Sequence, residues 1–545
     1  MYGKIVVEQM KNEEKNMKTL FTNAKIYDGT GDSHYVGNLL IEDDKIVAVG
    51  DVVDSDAKVV DLSGYSIASG FIDAHSHNDW YAIKIDVMRY FDPFIRQGIT
   101  TYVCGNCGLS AMGFTPDADK NEIGGGLFFY DDVIGAFGSF AEYMDAIDGK
   151  MPCNIASLVG HCTARASVGA EENRALTPEE EEKMLAIMDQ ALNEGAVGLS
   201  LGLMYEPGLY ADTEELKKVA NLCVKHNKPL TVHPRASSAV SMAYPELLGR
   251  SHLLRALDEL VEISKGTNLK LHYSHAIFVG RKSLKDKKEF LKIIDQLKAD
   301  GVDVMFDIYN ETEGVSVITV ILPAWYQGMS EEERNKPLTK LKLAVLVKAS
   351  SILLGFGFKD IKIAYIGPGY EQYEGKTVHE IAKEEGMSDL KAYLMLCEKS
   401  DFKGRVNMGP YTTPEIIHEF EKRDDCLYMT DAWIEEQGIQ NPSCYNCYPK
   451  FLRDSLQGYG DTLEKTIRKM TGATADRFAL PNRGYLKPGY YADLTIFDEN
   501  EIKNSTEQHD TFGIKSVYVN GSLILDGDKI DTTTAKTTGR AIRVK

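Results

Sequence analysis

The pattern of hydrophobic and polar positions changes twice along the chain. Residues 19–64 and 483–545 contain short runs in which apolar and polar residues alternate, separated by turns rich in Gly and Asp. Alternation with a period of two is typical of half-buried strands. We predict that the two stretches form one small β-sandwich built from both chain termini, and that residues 1–18 form an N-terminal extension.

The middle of the chain, residues 65–482, alternates strand-like apolar runs with helical patterns. One helical pattern opens with Thr177 and Pro178, has an acidic first turn and ends at Gly195, all of which are helix-boundary signals. Eight strand–helix units favour an α/β fold, a (β/α)8 TIM-like barrel. The predicted strands lie at about 67–75, 98–107, 154–161, 196–201, 228–233, 269–275, 302–308 and 425–431.

The interval at about 310–424 is too long for one loop and one helix. It contains several helical patterns, so we predict an inserted subdomain after the seventh strand that acts as a lid. Within it, the apolar run at 341–358 includes Lys342 and Lys348. We interpret that run as a buried helix or strand and not as a membrane span.

Composition and charge narrow the class of partner. The 545 residues carry a formal net charge of -20, which argues against nucleic-acid and anionic-membrane surfaces. Nine cysteines without a secretory signal favour reduced thiols and a cytoplasmic protein. We expect a small-molecule substrate, no nucleic acid and no membrane, and leave open whether the chain forms a homo-oligomer.

Metal-binding residue types recur where the predicted strands end. His75 and His77 lie two positions apart, so in a strand they would project from the same face. In a barrel, the carboxyl ends of all strands meet at one mouth. Several histidines, a cysteine and a carboxylate there are typical of a zinc site. In strand order, these residues are His75 and His77, Cys107, His161, His233, His275 and Asp431.

Two Cys-x-x-Cys pairs offer a different metal site. Cys104 and Cys107 form one pair, and Cys444 and Cys447 form the other. A redox pair normally opens a helix, whereas Gly105 and the glycine after Cys107 indicate a loop. A four-thiolate zinc site made from both pairs stays open as an alternative.

The motifs resemble those of the amidohydrolase superfamily and, within it, the D-aminoacylase (N-acyl-D-amino-acid deacylase) family. Many amidohydrolases bridge two metals with a carboxylated lysine on the fourth strand, but the predicted fourth strand here has no lysine. The deacylase family uses a cysteine instead, which matches Cys107. The matching motifs include Gly70-Phe-Ile-Asp-Ala-His-Ser-His77, Gly105-Asn-Cys-Gly108, Val159-Gly-His-Cys-Thr-Ala-Arg165, Val232-His-Pro-Arg235, Ser274-His275 and Thr430-Asp431.

The resemblance implies zinc-dependent hydrolysis of a non-peptide C–N amide bond, the deacylation of an N-acyl-D-amino acid or a related N-acyl compound. It implies a tight Zn²⁺ on Cys107, His233 and His275, and a second, weaker site on His75, His77 and the shared Cys107. Asp431 would be the general acid/base for the metal-activated water. We expect these residues to contact the substrate: His161, Arg165, Tyr205, Arg235 and Tyr309.

The sequence departs from the family where the substrate carboxylate is held. The family's Lys, Tyr and Arg are replaced by Ile277, Glu311 and Ser443. Arg165 and Arg235 remain and would compensate for the lost cations. If they do not, the pocket would bind a neutral or cationic group in place of the substrate carboxylate. The D or L preference and the acyl group therefore stay open.

Three other functions are alternatives for this sequence. A cyclic amide hydrolase of the hydantoinase or dihydroorotase kind shares the barrel, but its usual carboxylated lysine is missing. A deaminase fits the Cys107 ligand poorly. A catalytically inactive binding protein of the same fold is the third alternative, because fold alone does not determine function. The complete ligand set argues against it.

Overall fold

The structure is a computed structural model that describes residues 17–115, 128, 137–170, 173–241, 243–244, 249–327, 329–506 and 513–545. Residues 1–16 of the predicted extension lie outside this range, while Lys18 already belongs to the first strand. In the described ranges, no helix has the length and apolar character needed to cross a membrane.

The strands divide into two groups at the chain ends and in the middle. Short β-strands near both termini flank a central series that alternates with helices. In chain order the strands are β1 (Lys18–Tyr27), β2 (Tyr35–Glu42), β3 (Lys45–Gly50), β4 (Lys58–Asp61), β5 (Ser66–Ser69), β6 (Phe71–Asp73), β7 (Ile99–Cys104), β8 (Asn154–Ser157), β9 (Val159–Gly160), β10 (Leu199–Gly202), β11 (Pro229–His233), β12 (Lys270–Tyr273), β13 (Asp303–Ile308), β14 (Gly314–Val317), β15 (Ile361–Tyr365), β16 (Arg405–Met408), β17 (Cys426–Tyr428), β18 (Leu494–Phe497), β19 (Ile514–Val519), β20 (Ser522–Asp526), β21 (Lys529–Ile530) and β22 (Ala541–Ile542).

The helices begin and end at the signals that the sequence carries. Thr177 and Glu180 form a reciprocal capping box before α4, and Gly195 ends that helix with a φ of 110°. The helices are α1 (Val87–Ile95), α2 (Phe140–Ile147), α3 (His161–Ser167), α4 (Pro178–Glu194), α5 (Thr213–His226), α6 (His252–Ser264), α7 (Lys287–Ala299), α8 (Ala324–Gln327), α9 (Glu331–Asn335), α10 (Pro337–Leu354), α11 (Val378–Glu384), α12 (Asp389–Lys399), α13 (Pro414–Glu421), α14 (Ser443–Gln457), α15 (Leu463–Met470), α16 (Gly472–Arg477), α17 (Glu499–Asn504) and α18 (Thr532–Ala535).

Both chain ends contribute to one sheet. In the described part of the chain its order is β21-β20-β19-β18-β5-β1-β2-β3, with β4 also paired to β1. The antiparallel pairing of β18 with β5 joins the two ends. A separate hydrophobic core lies against this sheet and includes Phe21, Ile41, Leu494 and Ile496.

The central strands are parallel, as an α/β fold requires. Among the described residues they form two sheets, ordered β17-β13-β12-β11-β10-β9 and β22-β8-β7-β6. Each strand segment predicted from the sequence overlaps an observed strand. Further backbone hydrogen bonds connect the sheets: Ala74 N donates to Tyr428 O at 3.3 Å, and Val197 N, just before β10, donates to Ser157 O of β8 at 3.0 Å.

Two predicted boundaries differ from the structure. The strand expected at 67–75 is divided at Gly70, so that β5 joins the terminal sheet and only β6 joins the parallel strands. Gly70 allows this close approach, because a Cβ there would lie 2.3 Å from Thr100 Oγ1. The last strand, β22, pairs with β8 and leaves the terminal sheet. Neither switch of sheets is visible in a local apolar pattern.

The chain between β13 and β17 forms its own small layer. β14, β16 and β15 make an antiparallel sheet, which helices α8 to α12 accompany. The last helix of the interval, α13, instead packs Phe420 on Phe306 of β13 at a ring separation of 5.2 Å. The run predicted to be buried at 341–358 is largely the helix α10, but Leu341, Val345 and Ile352 on it are exposed.

A buried polar cluster joins the start of this interval to α13 and α14. Asn310 Nδ2 donates to Asp454 Oδ2 at 2.7 Å and to Glu421 Oε1 at 3.3 Å. Lys469 Nζ donates to the Glu421 carbonyl oxygen. Burial and the neighbouring Asp454 charge raise the pKa of Glu421 from 4.5 to about 9. The folded protein therefore holds a proton there at neutral pH.

This raised pKa predicts a pH-dependent stability that Glu421→Gln removes. The protonated Glu421 carboxyl group contributes fully to the free energy of unfolding below its unfolded pKa. This contribution is lost as pH rises toward its folded pKa of about 9. Between about pH 5 and about pH 8, we expect the free energy of unfolding of wild type to fall by about 1–3 kcal/mol relative to Glu421→Gln. Urea denaturation at both pH values measures this. Glu332→Gln, on the surface, is the control; equal pH slopes for all three proteins would contradict the assignment.

Candidate metal centre

The structure brings the predicted ligands together at the carboxyl ends of the parallel strands. Cys107 Sγ lies 3.3 Å from His75 Nε2 and 3.5 Å from His275 Nε2. Asp431 Oδ1 lies 3.4 Å from His75 Nε2 and 3.5 Å from His77 Nε2. Two groups of ligand atoms each lie within 4.8 Å of one another, and Cys107 belongs to both: His75, His77, Cys107 and Asp431; and Cys107, His233 and His275.

Three of these residues have unusual backbone conformations. Cys107, His275 and Asp431 have φ values of 54°, 35° and 47°, in the left-handed region that residues with a Cβ rarely adopt. Hydrogen bonds to other strand ends maintain two of these turns: Gly108 N donates to Ser200 Oγ at 3.0 Å, and Asp431 N donates to His75 O at 3.1 Å. The chain thus turns each of these side chains toward the common centre at the strand ends.

The Asp307 carboxylate orients two of the histidines. Its Oδ2 lies 3.3 Å from His75 Nδ1 and 2.9 Å from His272 Nε2, while Oδ1 accepts a hydrogen bond from His275 N. Burial opposes ionisation of Asp307, but His75 and His272 outweigh it and hold its pKa well below the usual range. Asp307 is therefore a fixed anion, and it leaves His75 Nε2 directed at Cys107.

A second carboxylate, Asp73, fastens the first and eighth strands together. Its Oδ2 accepts from Thr430 Oγ1 at 2.6 Å, and its Oδ1 accepts from Thr430 N at 3.0 Å. His75 N also donates to Asp73 Oδ1 at 3.2 Å. These bonds position Asp431, the residue after Thr430, beside His75.

The electrostatics of the cluster fit a metal with nitrogen and sulfur ligands. Burial would raise the pKa of the Cys107 thiol, but the charged His75 ring is the strongest opposing influence, and the pKa lies well below its ordinary value. Burial and the neighbouring His275 lower the pKa of His233, so its ring is neutral. Neither nitrogen of the buried His233 ring has a hydrogen-bond partner among the described residues. A thiolate and a neutral imidazole with a free nitrogen are metal ligands.

Aromatic side chains enclose the histidines. The Tyr205 ring lies 4.6 Å from the His233 ring, and the Trp433 ring lies 5.3 Å from the His77 ring. Phe128 stacks on Trp80 and also lies 5.1 Å from His77. Asp431 is the most accessible member of the cluster, since 23% of its side chain is exposed.

The two arginines expected to hold a substrate carboxylate are already neutralised. Arg165 Nη1 donates to both Glu215 oxygens at 2.9 and 2.7 Å, and His161 Nε2 lies 2.7 Å from the same carboxylate. Arg235 binds Glu259 through two hydrogen bonds of 3.0 Å. The roles of Arg165 and Arg235 as compensating cations stay predictions. Each arginine already has a carboxylate partner, in a buried ion pair for Arg165 and in a part-buried one for Arg235.

The added glutamates at the mouth are neutralised as well. Glu311 pairs with Lys450, and Glu313 accepts hydrogen bonds from Lys362 Nζ at 2.7 and 2.9 Å. Each of these glutamate charges is therefore balanced by a lysine. Lys450 and Lys362 lie 139 and 49 residues from their partners, so sequence proximity could not have identified the pairs.

The four-thiolate alternative is not supported. Cys444 Sγ contacts the Trp433 carbonyl oxygen at 3.2 Å, and Cys447 Sγ contacts the Met429 carbonyl oxygen at 3.2 Å. Among the residues that the structure describes, Cys107 is the one cysteine in a potential metal-binding group. The other thiols are buried packing groups.

Sequence reasoning missed Asp307 as an orienting group and Tyr411 as a residue of the site. Tyr411 and Tyr309 lie next to each other, since a Cβ on Gly314 would contact Tyr411 Cε2 at 2.6 Å and Tyr309 Oη at 3.1 Å. Asp307 ends a predicted strand, as the ligands do, and that position was the available signal. Tyr411 lies inside the long interval and carried no signal.

The family model of the Amidohydrolase family matches residues 58–369, more than half of the chain. The chain belongs to the amidohydrolase family. The D-aminoacylase of Alcaligenes xylosoxydans xylosoxydans is 28% identical to this amidohydrolase over 517 residues, which are 93% of this chain and 94% of the relative. The N-acyl-D-aspartate deacylase of the same organism is 27% identical over 531 residues, 94% of this chain and 92% of the relative.

A solved D-aminoacylase structure extends the likeness to three dimensions. It is 27% identical, has a TM-score of 0.77, and the match covers 96% of this amidohydrolase and 99% of that chain. That D-aminoacylase has a binuclear metal center, with one-metal activation and second-metal attenuation. The resemblance inferred from the motifs is confirmed: this amidohydrolase is similar to D-aminoacylases over nearly its whole length.

Replacing the Asp307 anion by an isosteric amide should weaken metal binding. In Asp307→Asn, one of the two side-chain oxygens becomes an amide nitrogen, so the hydrogen bonds to His75, His272 and His275 N cannot all persist. We expect the zinc affinity to fall about 10–100-fold. Competition with a chromophoric chelator measures the affinity. Asp300→Asn, at the exposed end of α7, is the matched control, and an unchanged affinity in Asp307→Asn would refute the orienting role.

Proposed function

We propose that this amidohydrolase is a zinc-dependent deacylase of N-acyl-D-amino acids or closely related N-acyl compounds. The observation that carries the proposal is the ligand cluster, in which Cys107 belongs to both metal-binding groups. The likeness to a D-aminoacylase and to an N-acyl-D-aspartate deacylase supports the substrate class. The described part of β10, Leu-Ser-Leu-Gly, contains no lysine to serve as the carboxylated bridge of a hydantoinase-type site.

The proposal includes a closed (β/α)8 barrel around this cluster. Hydrogen bonds between Ala74 N and Tyr428 O, and between Val197 N and Ser157 O, support closure at the two seams of the parallel sheets. We further propose that the terminal strands form a small β-sandwich and that the interval from β14 to α12 is the lid predicted at about 310–424. Closure places all the strand ends at one mouth, which suits a catalytic site.

Two metal positions follow from the two ligand groups. We place the tight Zn²⁺ on Cys107, His233 and His275, because thiolate and neutral imidazole are its preferred ligands. His75, His77 and the shared Cys107 form a weaker second position. Zinc at such a site supplies Lewis acidity, which makes water nucleophilic at neutral pH and polarises an amide carbonyl.

Asp431 is proposed as the general acid/base. It accepts a proton from the attacking water and donates it to the leaving nitrogen. Its location supports the role, since its carboxylate lies 3.4 Å from His75 Nε2 and is partly exposed toward the mouth. Asp73 and Thr430 hold the backbone next to it, which limits its movement during proton transfer.

Neutral phenols replace free cations at the substrate end of the proposed site. Tyr205, Tyr309 and Tyr411 are grouped near Asp431, and the pKa of each is raised by burial and by the Asp431 charge. Within the described ranges, their hydroxyls have no hydrogen-bond partner of their own, which leaves them available as donors to substrate oxygens. We propose that these tyrosines orient the substrate, while Arg165, Arg235 and His161 support the surrounding wall.

Asp431→Asn should separate proton transfer from metal binding. We expect this variant to retain zinc on Cys107, His233 and His275 and to lose about 10²–10⁴-fold in kcat, because the amide cannot shuttle the proton. Cys107→Ala, the comparison variant, should lose zinc and activity together. Metal analysis after dialysis and steady-state kinetics are the measurements. Full turnover by Asp431→Asn would show that the acid/base assignment is wrong.

A substrate panel tests the proposed class. Zinc-loaded protein is incubated with N-acetyl-D- and N-acetyl-L-amino acids, their carboxamide derivatives, hydantoins and dihydropyrimidines, and products are detected by mass spectrometry. We expect cleavage of the linear N-acetyl-D compounds. Because the arginines are paired, we expect the preference for the free carboxylate over the carboxamide to be below about tenfold. A free cation in the pocket would confer a larger preference. Cleavage of cyclic amides alone would reject the deacylase proposal.

A further inference from the structure

Asn310 joins a tyrosine of the proposed substrate site to the buried polar cluster behind it. It follows Tyr309 directly, where the chain leaves β13 and enters the inserted interval. Its backbone N–H donates to Cys447 Sγ at 3.2 Å, and its side-chain amide donates to Asp454 Oδ2 at 2.7 Å and to Glu421 Oε1 at 3.3 Å. All three acceptors are buried, so they fix both the backbone and the side chain of this residue.

One face of α14 holds this junction. Cys447, Lys450 and Asp454 are three and four positions apart, so they lie on the same side of the helix. Cys447 and Asp454 bind Asn310, and Lys450 pairs with Glu311, the next residue along the chain. The chain that follows the tyrosine therefore cannot move without breaking contacts to α14.

Two of the acceptors are carboxyl groups that meet on one amide. Asp454 and Glu421 both accept from Asn310 Nδ2, and Glu421 Oε2 has no hydrogen-bond partner among the residues that the structure describes. Two buried carboxylates this close repel each other, so one of them keeps a proton. Burial and the Asp454 charge place the proton on Glu421 and raise its pKa to about 9. At neutral pH the amide therefore meets one carboxylate and one neutral carboxyl group.

The lysine charges near Glu421 oppose this proton but do not outweigh burial. Lys469 Nζ donates to the Glu421 carbonyl oxygen and lies 3.4 Å from Asp461 Oδ2, so its charge is already shared. Lys422 adds a second positive charge at the end of α13, and burial together with the Asp454 carboxylate outweighs both lysines in setting the pKa of Glu421. The other titratable groups packed around the two carboxyl groups are His418 from α13, and Cys426 and Tyr428 from β17.

We propose that Asn310 is a positioning residue for Tyr309, and that the proton shared by Glu421 and Asp454 keeps Asn310 in place. This role depends on the proposed function of Tyr309 in the deacylase, where its hydroxyl orients the substrate. When the proton leaves, the two carboxylates repel each other. The amide then keeps its shorter bond to Asp454 and loses the longer one to Glu421. The junction moves, and the Tyr309 hydroxyl loses its fixed direction.

Fluorine NMR of the full, zinc-loaded chain labelled with 3-fluorotyrosine reports the Tyr309 ring without any substrate. Comparison with Tyr309→Phe identifies its signal among those of the 28 tyrosines. In wild type we expect this signal to shift between about pH 7.5 and about pH 10, with its midpoint at the Glu421 pKa of about 9. In Glu421→Gln the signal should stay constant, because the amide has no proton to lose. Glu332→Gln, on the surface, should behave as wild type.

Steady-state kinetics with N-acetyl-D-leucine test whether this position matters to the substrate. At neutral pH, Asn310→Ala should raise KM about 3–10-fold, the effect of one lost hydrogen bond. Its zinc content and kcat should be retained, because the change touches neither the metal ligands nor Asp431. The KM ratio of wild type to Glu421→Gln should rise by a similar factor between about pH 7.5 and about pH 10, and this comparison needs no change at Asn310 itself.

Three results would overturn the positioning role. They are a Tyr309 signal that does not titrate in wild type, a signal that titrates equally in Glu421→Gln, and a KM ratio that does not change with pH. If no N-acyl compound reacts, the deacylase proposal fails, and the fluorine signal still decides whether the proton controls Tyr309. The failure of one proposal is thus distinguishable from the failure of the other.

Discussion

The hydrogen bonds of the buried Asp307 carboxylate hold the metal centre together. From β13, this one carboxylate binds the ring of His75 at the end of β6, and the ring of His272 and the backbone of His275 in and after β12. Such an anion is stable inside a protein only when several donors surround it. Its position therefore requires the strands to be in register, and the geometry of the candidate ligands depends on the same register.

Charge balance is the second constraint on the site. The described cations around the mouth form ion pairs: Arg165 with Glu215, Arg235 with Glu259, Lys450 with Glu311 and Lys362 with Glu313. Pairing reduces the attraction of the mouth for a free anion.

Much of the candidate site could be predicted from local sequence. The ligands follow apolar runs directly, so their location at strand ends was evident for His75, Cys107, His233 and Asp431. Helix ends such as Thr177 and Gly195 were also predictable, because capping involves residues only three or four positions apart. The pairs Arg165–Glu215 and Arg235–Glu259 were not, because charged partners 50 and 24 residues apart leave no periodic signal.

The sequence by itself determined the parallel strands, the order of the helices and the set of ligand types, because these depend on apolar periodicity and on side-chain chemistry at each position. Only the tertiary structure decided which polar groups neutralise one another, that the chain changes sheets at Gly70 and at β22, and that one side of α10 remains exposed. Each of these features depends on contacts between distant segments, and the free energy of such contacts is a property of the folded chain and not of any local pattern.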